Sequence, residues 1–565
     1  MKKIAILLSA ALLFLVGCKE DLLTRSPLDA LSDETYWTNE ANVRTFAWGF
    51  YTRYFDGYGS GFTAGRYFNG QTLNDDFAPA SPTQFTRNVP AVTTTTTPWN
   101  GFTWVRKANL FKERIQRVPM EAEAIRHWTG IARFFRAMEY HELVRQYGDV
   151  PFFDQVIGET DFAQLYKPRD PRTVVADSML ADLQYAAANV RADDGEKGLT
   201  VNKSVVLAFM SRIMLYHGTF LKYHNVDQNR AKTYLEAAKW AANEVITSGR
   251  YAATDNYRSM FSSLSLAASK EMILYRKYET GMLTHSLNSY NNKEPQTGVS
   301  KDAIESYLSK DGLPIQLSPL YKGDKGIDNV IADRDPRLPA TIVGQLRVSK
   351  YAPNFSSSGY ATHKFLNEET KELPEGSGSL NQTDAPVIRY GEVLVNYAEA
   401  SAELGTLTQA DLDKSINALR QRPGIAIPKL EVSGTSPAVN GKVYDDPSRD
   451  PSVPALIWEI RRERRIELML EGFRLDDLTR WKKMEYVDTQ ANSDINRGAW
   501  IRKADYPNTD AIIEGTTEGY IIPAPKLESQ RLFTDPKVYL TPIPLDQITL
   551  YRAAGYELKQ NPGWE

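Results

Sequence analysis

Apolar residues recur at helical spacing over several long stretches of this 565-residue chain, and that pattern predicts the fold before any chemistry is considered. Tyr234, Ala237, Ala238, Ala241, Ala242 and Val245 fall on one helix face, where the small residues suit close packing of a neighbouring helix. Val206, Phe209, Met210, Ile213 and Met214 make a second stripe, and Tyr390, Val393, Leu394, Tyr397 and Ala398 make a third. Between residues 107 and 249 the pattern runs helix, short turn, helix, with Gly148-Asp149 and Ser248-Gly249 as helix ends. No clean repeat of about 34 residues occurs, so the expectation is degenerate tetratricopeptide-like hairpins, not a regular solenoid.

Turn formers concentrate at 57–70, 351–360, 374–384 and 432–454, which predicts surface loops on a helical scaffold. Such loops are the usual place for a binding site. Residues 271–275 and 539–543 have strand character but are too short for a large sheet.

Charge and cysteine usage narrow the class. With 67 basic and 70 acidic residues the net charge is −3, so there is no basic surplus to attract nucleic acid. Lys2 and Lys3 precede an apolar run at 4–16 that ends in Gly17, which reads as an export signal. The run is shorter than the roughly 20 residues a membrane span needs. Cys18 is the only cysteine, which excludes an intramolecular disulfide and a zinc site built on several thiolates. Leu15-Val16-Gly17-Cys18 looks like a lipobox, so Cys18 is the expected lipidation site, and several acyl chains together give stable anchoring. Lys19-Glu20-Asp21 resembles a short tag that sends lipoproteins to the outer face of some Gram-negative bacteria.

Catalytic and metal motifs are mostly missing. His141-Glu142 opens like a zinc-protease helix, but Arg145 stands where the second histidine belongs. The six histidines, at 127, 141, 217, 224, 285 and 363, show no pairing at ligand spacing. No cofactor or metal is expected, and a structural calcium is left open. Gly59, Gly61 and Ala64 fit a dinucleotide loop only loosely and follow no strand, and neither a phosphate-loop lysine nor a Gly-x-Ser-x-Gly elbow occurs. Asp75-Asp76 read as turn or hydrogen-bonding residues before glycosidase carboxylates. In the charged stretch 459–482, Arg461, Glu463, Arg464, Arg465 and Glu467 stand three and four apart, predicting an ionic network that fixes helix register.

One run, Glu463-Arg464-Arg465-Ile466-Glu467, then Glu471-Gly472-Phe473-Arg474, then Asp477-Leu478-Thr479-Arg480-Trp481, resembles the SusD/RagB family. Tyr147-Gly148-Asp149-Val150-Pro151, Arg334-Asp335-Pro336-Arg337-Leu338, Ile388-Arg389-Tyr390, Tyr397-Ala398-Glu399-Ala400, Pro542-Ile543-Pro544 and Gln560-Asn561-Pro562-Gly563 extend the resemblance over nearly the whole mature chain. Gly391 departs from it, since family members often carry alanine there. The resemblance implies a mostly α fold with four tetratricopeptide-like hairpins and long ligand-binding loops. It implies a signal peptide at 1–17, a lipidated tether at 18–30, an N-terminal region at 31–325 and a C-terminal region at 326–565 packed with it as one unit. It also implies a non-enzymatic surface lipoprotein of the outer membrane that captures glycans and delivers them to a SusC-like TonB-dependent transporter. Peptide capture of the RagB type is the alternative.

Sugars present apolar faces rimmed by hydroxyls, so aromatic rings beside amides are the residues to look for. Tyr58, Phe62, Tyr67 and Phe68 lie in one glycine-rich stretch with Asn74 close behind, and form the first candidate surface. Tyr290, Asn291 and Asn292 form the second, and Trp99 is a further candidate contact.

Overall fold

In the computed structural model, residues 33–82, 97–349, 351–526, 531–533 and 536–564 are described. Cys18, the signal segment and the tether lie outside them.

Eight helices carry the architecture: α1 (Gly101–Ile115), α2 (Ala122–Tyr147), α3 (Arg172–Asn189), α4 (Lys203–Tyr223), α5 (Gln228–Thr247), α6 (Tyr390–Glu403), α7 (Ala455–Glu467) and α8 (Arg474–Arg480). Each of the first six packs on the next, α1 on α2 through α6 on α7, which is the ordered stacking of helical hairpins that the periodicity predicts. Capping sets the starts. The side chain of Asn202 accepts from the Val205 amide before α4, and that of Asp227 accepts from the Arg230 amide before α5. Gly148, at φ 75°, ends α2.

The α5 stripe is buried at Tyr234, Ala238, Ala241, Ala242 and Val245, and its alanines let α4 approach closely. Helix α4 is apolar enough, by length and composition, to cross a membrane, yet 94% of its apolar window is covered inside the protein. It is the central core helix, surrounded by α3, α5, α6 and α8.

Strands are few and short. β1 (Met272–Arg276) pairs antiparallel with β2 (Ala385–Arg389), which leads directly into α6. Residues 539–543 form no strand; Thr541 instead donates its amide to the Gln146 carbonyl, 2.8 Å away, at the end of α2. The 432–454 stretch is more ordered than a loop. It contributes to a three-stranded antiparallel meander, β3 (Glu431–Ser433), β4 (Ser436–Val439) and β5 (Lys442–Val443). Its second turn is Asn440-Gly441, both at positive φ, the two-residue hairpin that Asn-Gly favours.

The charged α7 does form an ionic network; Arg462 and Glu459 pair along the helix at 3.0 Å, but most of its bonds run between elements. Arg337 binds Asp335 at 2.7 Å, Glu463 at 3.1 Å and Glu467 at 3.2 Å. Arg389 binds Glu467 and Glu471 at 2.6 and 2.7 Å. Arg422 bridges Glu271 and Glu467, and Arg420 closes on Glu463. Every one of these side chains is almost fully buried, so they hold α7, β2 and the Arg334–Leu338 turn in a single arrangement. Asp75 and Asp76 join the same face: Asp75 takes both ends of Arg474 at 2.6 and 2.7 Å, and Asp76 accepts from Arg465 at 2.7 Å.

Candidate functional site

The two aromatic segments expected to bind ligand meet in space, but as core. Tyr58 and Tyr67 are 0% and 3% exposed, with ring centres 4.7 Å apart, and both lie edge-on to Phe365. The Tyr58 hydroxyl donates to the Phe261 carbonyl at 2.7 Å and that of Tyr67 to the Pro386 carbonyl. Phe68 packs on Tyr290 at 5.2 Å. Neither Tyr58 nor Tyr67 has side-chain surface to offer a sugar in this structure. The glycines are the reason. Gly57, at φ 52°, lies so close to the β1–β2 ribbon that a Cβ there would meet the Ala385 Cβ at 2.9 Å, so the loop folds inward and takes its rings with it.

The remaining candidates scatter. Phe62 stands at the loop tip, 82% exposed. Asn74 is buried, its side-chain oxygen accepting from the Asp76 amide. Asn291 is buried against Thr362, and half-buried Asn292 donates to the Lys371 carbonyl and the Glu372 carboxylate, each at 3.1 Å. Trp99, 9% exposed, stacks edge-on to Tyr147 and borders a separate hollow of about 370 Å³ shared with Phe102, Phe153 and Tyr166.

A cleft of about 540 Å³ at α7 has more of the chemistry a sugar site needs. Its exposed aromatic surface comes from Trp458, in the first turn of α7, and Tyr486, with ring centres 6.4 Å apart at 73°. Both are half-buried. The Trp458 indole donates to Asp446 at 2.9 Å, and the Tyr486 hydroxyl donates to Asp450 at 2.7 Å, so each ring is held by its polar edge at the cleft wall. Asp302, Glu305, Gln316 and Asn492 supply acceptors and amides.

Electrostatics keep these groups poised. Burial works against the charge of Asp450, but hydrogen bonds from Lys483, Tyr486 and Ser452 outweigh it and hold its carboxyl far below the usual range. Burial pushes Glu305 up against the pull of Lys301, 2.5 Å away. Beneath the aromatics Arg461 stacks on the buried Trp481 at 4.4 Å, and Arg465 ties the cleft to Asp302 at 2.9 Å and to Asp76. The ionic network of α7 therefore fixes the cleft as well as the core. Sequence reading missed Trp458. Its available signal was an indole in a helix otherwise arginine- and glutamate-rich, directly after the turn-forming 445–454 segment. Among the described residues no three His, Cys, Asp or Glu side chains converge as a metal-ligand group. His141 and His217, far apart in sequence, do meet, at 3.1 Å between ring nitrogens.

A family profile described as the SusD family matches residues 269–564, more than half of the chain, and includes the α7 network apart from Asp75 and Asp76, and most of the cleft. The chain belongs to the SusD family. A second profile, described as "Starch-binding associating with outer membrane", matches residues 51–215. A SusD-like protein of Formosa agariphila is 24% identical over 502 residues, covering 82% of this chain and 88% of that one. Among solved structures, a SusD-like carbohydrate binding protein from Bacteroides fragilis superposes with TM-score 0.69 at 22% identity, covering 91% of this chain and 99% of its own. Surface glycan-binding protein A from Bacteroides fluxus gives TM-score 0.59 at 17% identity over 93% and 100%. These likenesses establish the SusD-like fold across both halves of the chain. In SusD terms, the signature run from Glu463 to Trp481 here holds scaffold to cleft: its arginines clamp acids on three other segments, Asp75 and Asp76, Asp302, and Glu399, and Trp481 closes the cleft's buried side.

Proposed function

We propose that this SusD-family protein captures glycans in the α7 cleft without turning them over, and passes them to a SusC-like TonB-dependent transporter. In this reading it is held at the outer-membrane surface by acyl chains on Cys18. The observation that carries the ligand assignment is the Trp458–Tyr486 pair, two half-buried rings that line the cleft, fixed by their polar edges among carboxylates and amides. Aromatic faces cover the axial C–H surface of a sugar at modest ordering cost, while Asp302, Glu305, Gln316 and Asn492 meet its hydroxyls. Fold relatives described as carbohydrate- or glycan-binding support the ligand class. The description "associating with outer membrane" supports the location.

The test is binding of the purified protein to a panel of polysaccharides, oligosaccharides and peptides by calorimetry. Saturable binding of one glycan class, with no shortened product in the recovered ligand, is the expected outcome. Trp458→Ala is expected to weaken it by about tenfold or more, ~1.4 kcal/mol. Peptide binding with no glycan binding sinks the assignment, and released product sinks the non-catalytic part of it. For delivery, deleting the chain from a strain that retains its transporter is expected to abolish uptake of the same glycan; unimpaired uptake removes the delivery role.

A further inference from the structure

Away from the α7 cleft, a smaller hollow of about 250 Å³ opens between the 53–69 segment, α2, α4 and the start of α8. It is built around one phenyl ring. The guanidinium carbons of Arg66, Arg212 and Arg464 stand 4.7, 5.2 and 5.6 Å from the ring centre of Phe473. Two of the three are committed. Arg212 holds Glu392 through two bonds of 2.6 Å, and Arg464 holds Asp477 at 2.9 and 3.0 Å with Asn396 at 2.7 Å. The guanidinium of Arg66 has no hydrogen-bond or ion-pair partner among the described residues. No carboxylate closes on it, which leaves it short of a counter-charge in contact, and burial and the neighbouring Arg212 push its pKa down.

The carboxylates lining the hollow do not fill that shortage. Glu142 and Asp476 are both bound by Arg145, at 2.6 and 2.8 Å, and Asp477 is bound by Arg464 and Arg480. Asp56 is the uncommitted acid. Its carboxyl has no partner from another side chain among the described residues, burial pushes it up, Arg66 pulls it down, and the two form no ion pair. One hollow thus presents an unpaired fork of donors and, apart from it, an unpaired acceptor. A bare dianion suits the first and is repelled by the second. A neutral sugar suits the second and leaves the first charge uncompensated.

We propose that this hollow binds a single acidic sugar, with its carboxylate on the Arg66 fork and a ring hydroxyl donating to Asp56. Planar two-point recognition of a carboxylate is what a guanidinium does best. The volume lies below the ~300–1,000 Å³ of sites for drug-sized ligands, which fits one ring and not an oligosaccharide. The hollow shares no lining residue with the Trp458 cleft, so this is a second site and stands or falls apart from the first.

Calorimetry of the purified protein with galacturonate, galactose, inorganic sulfate and glutamate tests it. Galacturonate is expected to bind saturably and galactose about tenfold more weakly or worse. Arg66→Gln is expected to abolish the difference between them, Asp56→Asn to weaken galacturonate and admit sulfate, and Trp458→Ala to leave galacturonate affinity unchanged. Because Asp56→Asn removes a charge and almost no volume, it carries the test if Arg66→Gln fails to fold. No galacturonate binding, galactose binding as tight as galacturonate, or preference for sulfate or glutamate in the unaltered protein would each overturn the proposal. So would loss of galacturonate binding in Trp458→Ala.

Discussion

Tyr58 and Trp458 show how the same kind of side chain takes opposite roles. Tyr58 is fully buried, touches Tyr67, Tyr278, His285 and Phe365, and spends its hydroxyl on the Phe261 carbonyl. Tyr58→Ala removes a whole ring from a packed cluster and is expected to cost about 3–5 kcal/mol. Tyr58→Phe keeps the ring, leaves the carbonyl unpaired, and is expected to cost about 1–3 kcal/mol. Trp458 is half-buried with one hydrogen bond to lose, so Trp458→Ala is expected to cost about 1 kcal/mol of stability while weakening glycan binding. Urea denaturation of the three variants beside the unaltered protein checks all of this, and a Trp458→Ala loss equal to that of Tyr58→Ala would place Trp458 in the core. Tyr58, Tyr67 and Phe68 were legible in the sequence as one aromatic group, and they are one; that Tyr290 joins them and Phe62 does not was not legible. Their burial was not legible, because rings among glycines read alike whether they line a groove or fill it. What separates the two is the approach of the β1–β2 ribbon to Gly57, a contact more than 200 residues away along the chain.

Between elements, the decisive contacts are those of Glu467, at the end of α7. Its carboxylate accepts from Arg422, Arg389 and Arg337, residues 45, 78 and 130 positions away. Burial opposes the charge, but the arginines outweigh it and hold this carboxyl far below the usual range. Glu467→Gln leaves three buried guanidinium groups short of one anion and is expected to cost about 3–5 kcal/mol. Gly391 belongs to the same joint. A Cβ there would collide with the Arg389 guanidinium and approach the Glu467 carboxylate to 2.7 Å. Alanine gains about 0.5–1 kcal/mol of helix propensity at most, and crowding a packed site costs about 1–3 kcal/mol. Gly391→Ala is therefore expected to destabilise, seen as a lower urea midpoint; a raised midpoint would show that the pair shifts freely. Helix existence was legible here because the 3.6-residue period is local, and the stripes on α4, α5 and α6 stand where it puts them. The meander at 431–443 was legible too, in its Asn-Gly turn, but the density of turn formers hid it. Partners of the α7 charges were not, since spacings of three and four along a helix carry no information about strands and turns arriving from elsewhere.

Over the whole molecule, the histidines set how the fold responds to acid. Burial pushes His127, His141, His224 and His285 down to about 4, and His217 well below the usual imidazole range. Geometry gives the reason. His285 accepts the Leu287 amide on Nδ1 and faces the Thr383 carbonyl with Nε2, so a second proton would break the first bond. His127 likewise accepts the Arg191 amide on Nδ1. His141 and His217 share one hydrogen bond between ring nitrogens, which requires one of them to be an acceptor. In the unfolded chain these imidazoles titrate near ~6.5. Below that pH the unfolded state takes up protons the folded state refuses, and stability rises with pH wherever the unfolded state binds more protons. The histidine contribution is thus complete above about pH 6.5 and is lost as pH falls toward 4, at up to ~1.4 kcal/mol per pH unit for each group. Glu142 and Glu399, drawn down to about 2 by arginines that outweigh their burial, add a second loss confined to lower pH, between about 4.5 and 2. Two such histidines alone remove about 3 kcal/mol per unit from a total that is typically ~5–15 kcal/mol. Melting temperatures at pH 7.5, 6.5, 5.5 and 4.5 are accordingly expected to be level over the first pair and to fall steeply over the rest. His285→Asn is expected to flatten that fall, even where it lowers stability at neutral pH, because asparagine does not titrate. A melting temperature that stays constant down to pH 4.5 would mean that these rings are protonated inside the fold, and the hydrogen bonds that hold them neutral would have to be reassigned.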